Sequence, residues 1–334
     1  MVSKYLKHML SVLPGAPWLI AHRSMLDVNK PYKIKLNGQD YVLWQNTDGQ
    51  ISALSNICPH MQAPLSNGWI CKASNTIACP FHAREFDKEG RYVDNGKPSR
   101  QPLVPPLELI VQGNLIWTYG GHEPQIEIPT LIKERTQDLE FLGVSGEASI
   151  GTDFLTAIKI NYDYNHQNGT HRENFQIRDN PVHSFEEDEY YAKVRQTFIR
   201  AENSFSDIVE NPALLTLPKT IDSELEYTFP STTLFKALLD VGDIAQFFIL
   251  YPESEASTRT FVTTYAKLKS PLFKLPIVGK ALGNSFLKST DKIVDQDSTT
   301  IESLYPREKP KMRLPKEEIM FHAEKLYQEW PTHP

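Results

Sequence analysis

Cys58-Pro59-His60 and Cys79-Pro80-Phe81-His82 decide the reading of this chain. They spell Cys-x-His, eighteen intervening residues, then Cys-x-x-His. Each pair can present one thiolate and one imidazole from a single loop, and the proline after each cysteine stiffens that loop. A two-iron, two-sulfur cluster usually takes four thiolates. Putting two imidazoles on one of its irons raises the potential by hundreds of millivolts. That iron then looks outward through neutral rings, which gives an electron a way off the cluster. Two plainer arrangements use the same residues: a tetrahedral structural zinc site, or packed thiols beside surface histidines. Cys-x-His is an uncommon half of a zinc site, so the iron–sulfur reading is preferred. Cys71 has no histidine partner and reads as a packed thiol.

The residues around these pairs carry strand and turn signals. Tyr41 to Trp44 and Ile51 to Leu54 flank Asn46-Thr-Asp-Gly49, a hairpin signature. Leu107 to Val111 and Leu115 to Tyr119 flank Gln112-Gly113-Asn114, a second one. Gly120-Gly-His-Glu-Pro124 then punctuates the chain, so the expected domains are 1–124 and 125–334. In the second, Phe154 to Ile160, Gln246 to Leu250 and Phe261 to Leu268 read as strands. Asp291 to Leu304 and Lys316 to Trp330 read as helices, and Pro271 to Leu287 as a buried helix and loop.

The 334 residues suffice for two domains with a sizeable core. A formal charge of -6 speaks against a broad nucleic-acid surface. No apolar run is long enough for a membrane span, and the charged N-terminus does not resemble a secretory signal. Three cysteines are too few for a disulfide framework. A cytoplasmic protein without stable membrane insertion is expected. No nucleophile-elbow, P-loop or dinucleotide fingerprint occurs.

A second constellation follows at Asp163-Tyr-Asn-His166-Gln-Asn-Gly-Thr-His171, an Asp-x-x-His-x4-His pattern. Two imidazoles and a carboxylate on one face of a ferrous ion leave positions open for oxygen and substrate. On a regular helix His166 and His171 would point roughly 140° apart, so a π-type or broken turn is expected around Gln167, Asn168 and Gly169. Asp163 and His166 can share a face, which suits a carboxylate orienting a metal-bound ring. By itself this pattern is weak; the upstream cluster gives it weight, because a one-electron carrier needs a terminus for its electron.

Residues 50–95, with Asn56-Ile-Cys-Pro-His60, Pro64-Leu65, Gly68, Cys79-Pro-Phe-His82 and Phe86-Asp87-x-x-Gly90, resemble the Rieske domain of the non-haem iron oxygenase α-subunit family. Two departures stand out: Met61-Gln62 replaces the family's usual Arg-Gly, and Ala83-Arg84 its usual Gly-Trp. The resemblance implies an α+β chain, an N-terminal all-β Rieske domain followed by an antiparallel helix-grip (START-like) catalytic domain. It implies Cys58, His60, Cys79 and His82 as [2Fe-2S] ligands, His166 and His171 as ligands of a mononuclear Fe(II), and Asp163 as the carboxylate between the two metal sites. Asn161 is the nearest match to an upstream asparagine of the family. The third iron ligand is expected in Ile293-Val-Asp-Gln-Asp297, which resembles the family's late helix: Asp297 is chosen, with Asp295 as main rival and Asp291 and Glu302 behind it. The implied activity is that of a terminal oxygenase, with monooxygenation or demethylation favoured over ring dihydroxylation. Its implied partners are O2, a small organic substrate, a reductase or ferredoxin, and two further copies in a homotrimer. The rival reading is a Rieske electron carrier without oxygenase activity.

Overall fold

The Asn46–Gly49 turn closes as its composition dictates. Asn46 accepts hydrogen bonds from the Asp48 and Gln50 amides at 3.0 and 2.8 Å, and β3 (Gln39–Gln45) pairs antiparallel with β4 (Ile51–Ser55), Tyr41 opposite Ser55 and Gln45 opposite Ile51. β2 (Tyr32–Leu36) joins them on the other side of β3. The second expected hairpin is β10 (Ile110–Gln112) with β11 (Leu115–Thr118), to which β1 (Trp18–His22) adds. Five short strands form the third sheet: β5 (Trp69–Cys71), β6 (Thr76–Ala78), β7 (Glu85–Phe86), β8 (Arg91–Asp94) and β9 (Lys97–Pro102), in that order. These strands make up one compact unit, which runs to Ile128 and takes in Tyr251–Glu255. Its core packs Val42, Trp44, Leu54, Leu65, Ile77, Phe86 and Val104 around Cys58 and Cys79. The thiols are thus held by the same apolar contacts that hold the unit together.

The computed structural model describes residues 12–172, 176–202, 204–210, 217–239, 242–269, 276–305, 312, 314 and 317–330. The second unit starts at Pro129 and its short first helix is α1 (Leu131–Arg135). Its frame is an eight-stranded sheet: β12 (Glu140–Ile150), β13 (Ile177–Asp179), β14 (Val182–Asp188), β15 (Tyr191–Arg200), β16 (Thr220–Thr228), β17 (Thr232–Leu239), β18 (Gly242–Ser254) and β19 (Ser257–Leu268). The spatial order is β12-β19-β18-β17-β16-β15-β13, with β14 also on β15. The helices are α2 (Phe154–Tyr162), α3 (Phe205–Glu210), α4 (Pro276–Glu302) and α5 (Glu318–Gln328). The Rieske-type β unit followed by an antiparallel sheet with few helices is the architecture expected from the sequence.

One element was misread. Phe154 to Ile160 is not a strand but most of α2, with Phe154, Ala157, Ile158 and Tyr162 buried. A short apolar run cannot tell a strand from a buried helix by periodicity. The deciding signal is Asp153, whose carboxylate caps the Thr156 amide at 2.9 Å. The stretch from Pro271 is helical from Pro276 on, and its first five residues lie outside the described part.

Two features fix α4 over the sheet. Gly146, at φ +61°, leaves β12 so close to the helix that a Cβ there would lie 2.6 Å from Val294 Cγ2. Asp291 and Glu302 accept from the Gly146 and Gly151 amides of that edge, each at 2.7 Å. Two of the acids considered as metal ligands therefore tie the helix to its neighbouring strand.

Candidate metal centres and substrate cavity

The two cysteine loops repeat one backbone device. Cys58 N–H donates to Ala63 O and Gln62 N–H to Cys58 O; Cys79 N–H donates to Arg84 O and Ala83 N–H to Cys79 O. Each loop needs one left-handed residue to close, and these are Gln62 (φ 61°) and Ala83 (φ 52°). They are the two positions where the family pattern has glycine. A side chain there costs about 1 kcal/mol of backbone strain. Both thiols are buried, at 1% exposure, whereas His60 and His82 are exposed with ring centroids 4.7 Å apart. Burial raises the Cys58 pKa and the adjacent Cys79 raises it further, against the pull of the His60 and Met61 amides. Iron binding would take both sulfurs as thiolates. Arg84 is turned away onto Tyr92, donating to its hydroxyl at 2.7 Å and lying over its ring.

In the second unit His166 sits on a 3-10 turn, Tyr164–Asn168, that follows α2. The break expected between the histidines is present, as a 3-10 turn rather than a π bulge: both Gly169 and Thr170 donate to His166 O. Within one chain Asp163 meets His166 through its main chain. Its carboxylate caps the turn through the Asn165 amide at 2.8 Å, and its main-chain carbonyl is what meets His166 Nδ1. His171 Nδ1 faces Gln296 Oε1 at 3.0 Å, so the ring donates there and turns Nε2 inward. That nitrogen lies 3.0 Å from Asp297 Oδ1, and His166 Nε2 lies 3.6 Å from the same oxygen. One ligand atom from each of the three residues lies within 4.8 Å of the others. Asp295, two residues along α4, is exposed.

The three residues border a cavity of about 1110 Å³ of empty volume, open solvent at its mouth included. Its walls are mainly apolar: Phe198, Ile221, Leu225, Phe235, Leu239 and Phe286. Asn161 also lines it and donates to Thr233 Oγ1 at 2.6 Å.

Residues 17–108 match the Rieske [2Fe-2S] domain family. Over 165 residues the chain is 28% identical to the oxygenase component of dicamba O-demethylase from Stenotrophomonas maltophilia, covering 48% of each. Over 152 residues it is 24% identical to the phthalate 4,5-dioxygenase oxygenase subunit of Pseudomonas putida, 40% of this chain and 29% of that one. The chain thus spans less than half the length of these two curated relatives. Its fold is that of dicamba monooxygenase in complex with dicamba, with a TM-score of 0.76 at 18% identity over 96% of this chain and 98% of the other.

The chain carries a Rieske [2Fe-2S] domain, and the curated relatives it matches over less than half their length are oxygenase components. The cofactors of such a chain are a [2Fe-2S] cluster and a mononuclear iron, and the residues present fit both. Two buried sulfurs and two outward imidazoles match the mixed donor set of a Rieske cluster. Two imidazoles and one carboxylate, with a cavity beside them, match a facial triad. Burial works against charge on His171, yet Asp297 and Gln296 outweigh it and hold its pKa above the usual value. The pocket therefore favours positive charge, which a divalent cation supplies. Asp297 Oδ1 is buried without an aligned hydrogen bond, as an oxygen reserved for a metal would be.

Sequence reasoning missed Gln296. It stands directly before the aspartate, so a ligand and the residue orienting another ligand come from successive helix positions. Such an orienting contact is a regular feature of metal-bound histidines, but only the packing of α4 places Gln296 against His171. Among the described residues no helix is long and apolar enough to cross a membrane.

Proposed function

We propose that this chain is a terminal oxygenase: with O2 and electrons from a reductase or ferredoxin, it hydroxylates or demethylates a small organic substrate. The convergence of His166, His171 and Asp297 at the rim of an apolar cavity carries this reading. A pure electron carrier needs neither the triad nor the cavity. In this assignment Cys58, His60, Cys79 and His82 hold the cluster, and His166, His171 and Asp297 hold the iron. When bound, the cluster supplies single electrons and the ferrous ion supplies a site for oxygen. The protein supplies the rest. Gln296 fixes the His171 tautomer, and Asp163 O does the same for His166. Phe198, Phe235 and Phe286 exclude water from the substrate, and Asn161 offers a polar contact beside the metal. The relatives oxidise by both demethylation and dioxygenation; the single-oxygen outcome is the one proposed for this chain.

The assembly we propose is a homotrimer. His60 and His82 stand exposed among Ile57, Met61 and Phe81, each 47–58% exposed, a tip that another surface should cover. In the trimer, Asp163 would receive His82 of the partner subunit and link the cluster to His166. Iron and sulfide analysis tests the function. Three irons and two labile sulfides per chain fit the oxygenase, whereas two irons would leave only the carrier. The domain assignment that accompanies this proposal places the cluster in 1–124 and the oxygen chemistry in 125–334.

A further inference from the structure

The wall that β18 gives to the cavity is apolar except for one amide. Side chains two apart on a strand share a face, and Ile244, Gln246 and Phe248 all line the cavity. Across the ladder Phe248 stands opposite Thr233, and Gln246 opposite Phe235. Phe248, Asn161 and Asp297 also border a second, smaller cavity, and Asn161 donates to Thr233. The row of Phe248 and Thr233 is therefore the metal end. Gln246 lies one row further along, about 7 Å at the usual strand rise. Helix α4 gives a similar scale. Gln246 Nε2 donates to Thr290 Oγ1 at 2.5 Å, and the seven residues from Thr290 to Asp297 cover about 10 Å of helix.

Proton count fixes which end of the Gln246 amide faces Thr290. The Thr290 hydroxyl has one proton, and it goes to Phe286 O at 2.9 Å. Toward Gln246 it can only accept, which puts Nε2 on Thr290 and leaves Oε1 over. Gln246 is 7% exposed, and among the described residues nothing in the protein donates to that oxygen. A buried carbonyl oxygen without a donor is costly. A site of this kind favours a ligand that brings the missing proton and rejects one of the same shape that lacks it.

We propose that Gln246 Oε1 accepts a hydrogen bond from a hydroxyl group on an otherwise apolar substrate, about 7–10 Å from the end that meets His166, His171 and Asp297. This rests on the cavity being the substrate site of the proposed oxygenase, and it makes that substrate a neutral alcohol or phenol. Gln246 determines specificity: by holding the hydroxyl it sets which carbon of the skeleton reaches the metal end, and it touches no reacting atom.

The test is equilibrium binding by calorimetry, under argon and without reductant, so that no turnover enters the measurement. The probes are biphenyl-4-ol and 4-cyclohexylcyclohexanol, each beside the analogue with fluorine in place of the hydroxyl, which has no proton to donate. The alcohols should bind the wild-type protein at least tenfold more tightly than the fluoro analogues. Gln246→Met should abolish that preference and leave fluoro-analogue affinity within about threefold. The Thr290 hydroxyl keeps its bond to Phe286 O in this variant, so no buried group is newly orphaned. Thr290→Val, which lets the amide turn, should keep only part of the preference. Alcohols that bind the wild-type protein no better than their fluoro analogues, or not at all, overturn the proposal with no variant needed. So does a Gln246→Met loss that is equal for both members of a pair, which would mean that Gln246 only braces β18 against α4. Failure here leaves the iron content untouched, and an absent third iron leaves the alcohol-to-fluoride ratio untouched, so the two readings fail separately.

Discussion

Gly90→Ala should release the [2Fe-2S] cluster, although Gly90 contacts no ligand. Gly90 lies at φ +76°, and a Cβ on it would fall 1.8 Å from Val104 O. Ordinary contact begins at about 3.5 Å, so the Val104 carbonyl would have to retreat by about 1.5 Å or more. The segment that must move is pinned: Leu103 and Val104 both donate to Gly90 O, at 2.8 and 3.0 Å. Val104 itself is fully buried against the core that holds Cys58 and Cys79. Left-handed strain costs about 1 kcal/mol, two weakened hydrogen bonds about 1 kcal/mol each, and loosened Val104 packing at least as much again. The total is about 4 kcal/mol. Gly96→Ala is the control, since Gly96 has the same backbone angle, φ +75°, but nothing within 4 Å of its Cβ; it should cost only the strain. Each kcal/mol is worth about 4–8 °C in a unit of this size. Thermal loss of the cluster's visible absorbance, followed alongside circular dichroism, should place Gly90→Ala at least 10 °C below Gly96→Ala. Equal midpoints for the two variants would refute the idea that this turn braces the cysteine loops.

Asp297→Ala should leave two irons per chain, with the cluster spectrum intact and no product; retention of a third iron would show that another acid is the ligand. Asp163→Asn should keep both metal sites filled and slow product formation severely, and normal coupled turnover would argue against its bridging role. Gln196 and Ser223, paired across β15 and β16, bury polar atoms that make no hydrogen bond. Gln196→Leu and Ser223→Ala should therefore each raise stability by about 1 kcal/mol in urea titration, and a loss of that size would mean that ordered water satisfies them. His22 is buried, and with Arg23 beside it its pKa falls to about 4 from 6.5. Between those values the unfolded chain binds a proton that the folded chain refuses. This group's contribution to stability is thus whole above pH 6.5 and declines by about 3 kcal/mol as pH falls to 4. His22→Gln should flatten that part of the pH–stability curve, and an unchanged slope would remove His22 as its source.

The amino-acid sequence alone determined whatever depends on neighbours in the chain. Cys58 to His60 and Cys79 to His82 are each one turn, so spacing alone announces a shared centre. The Asn46–Gly49 and Gln112–Asn114 hairpins are local chemistry too. Asp163-x-x-His166-x4-His171 marked a break in the helix for the same reason. Phe154 to Ile160 was misread because an apolar run of that length has no period of its own, and only the Asp153 cap and the packing of α2 decide it.

Tertiary structure decided everything that joins distant segments. Asp297 stands 126 positions after His171, and spacing and composition do not separate it from Asp295 or Asp291; only the resemblance of Ile293 to Asp297 to a family helix favours it. The rotation of α4 does, because 100° per residue sends Asp295 to solvent, turns Asp291 to the Gly146 amide and brings Asp297 to the two imidazoles. Gln296 acquires meaning in the same way, from a helix packed so that its side chain meets His171. A side chain's chemistry is written in its own residue, but its partners are set by burial across the whole sheet.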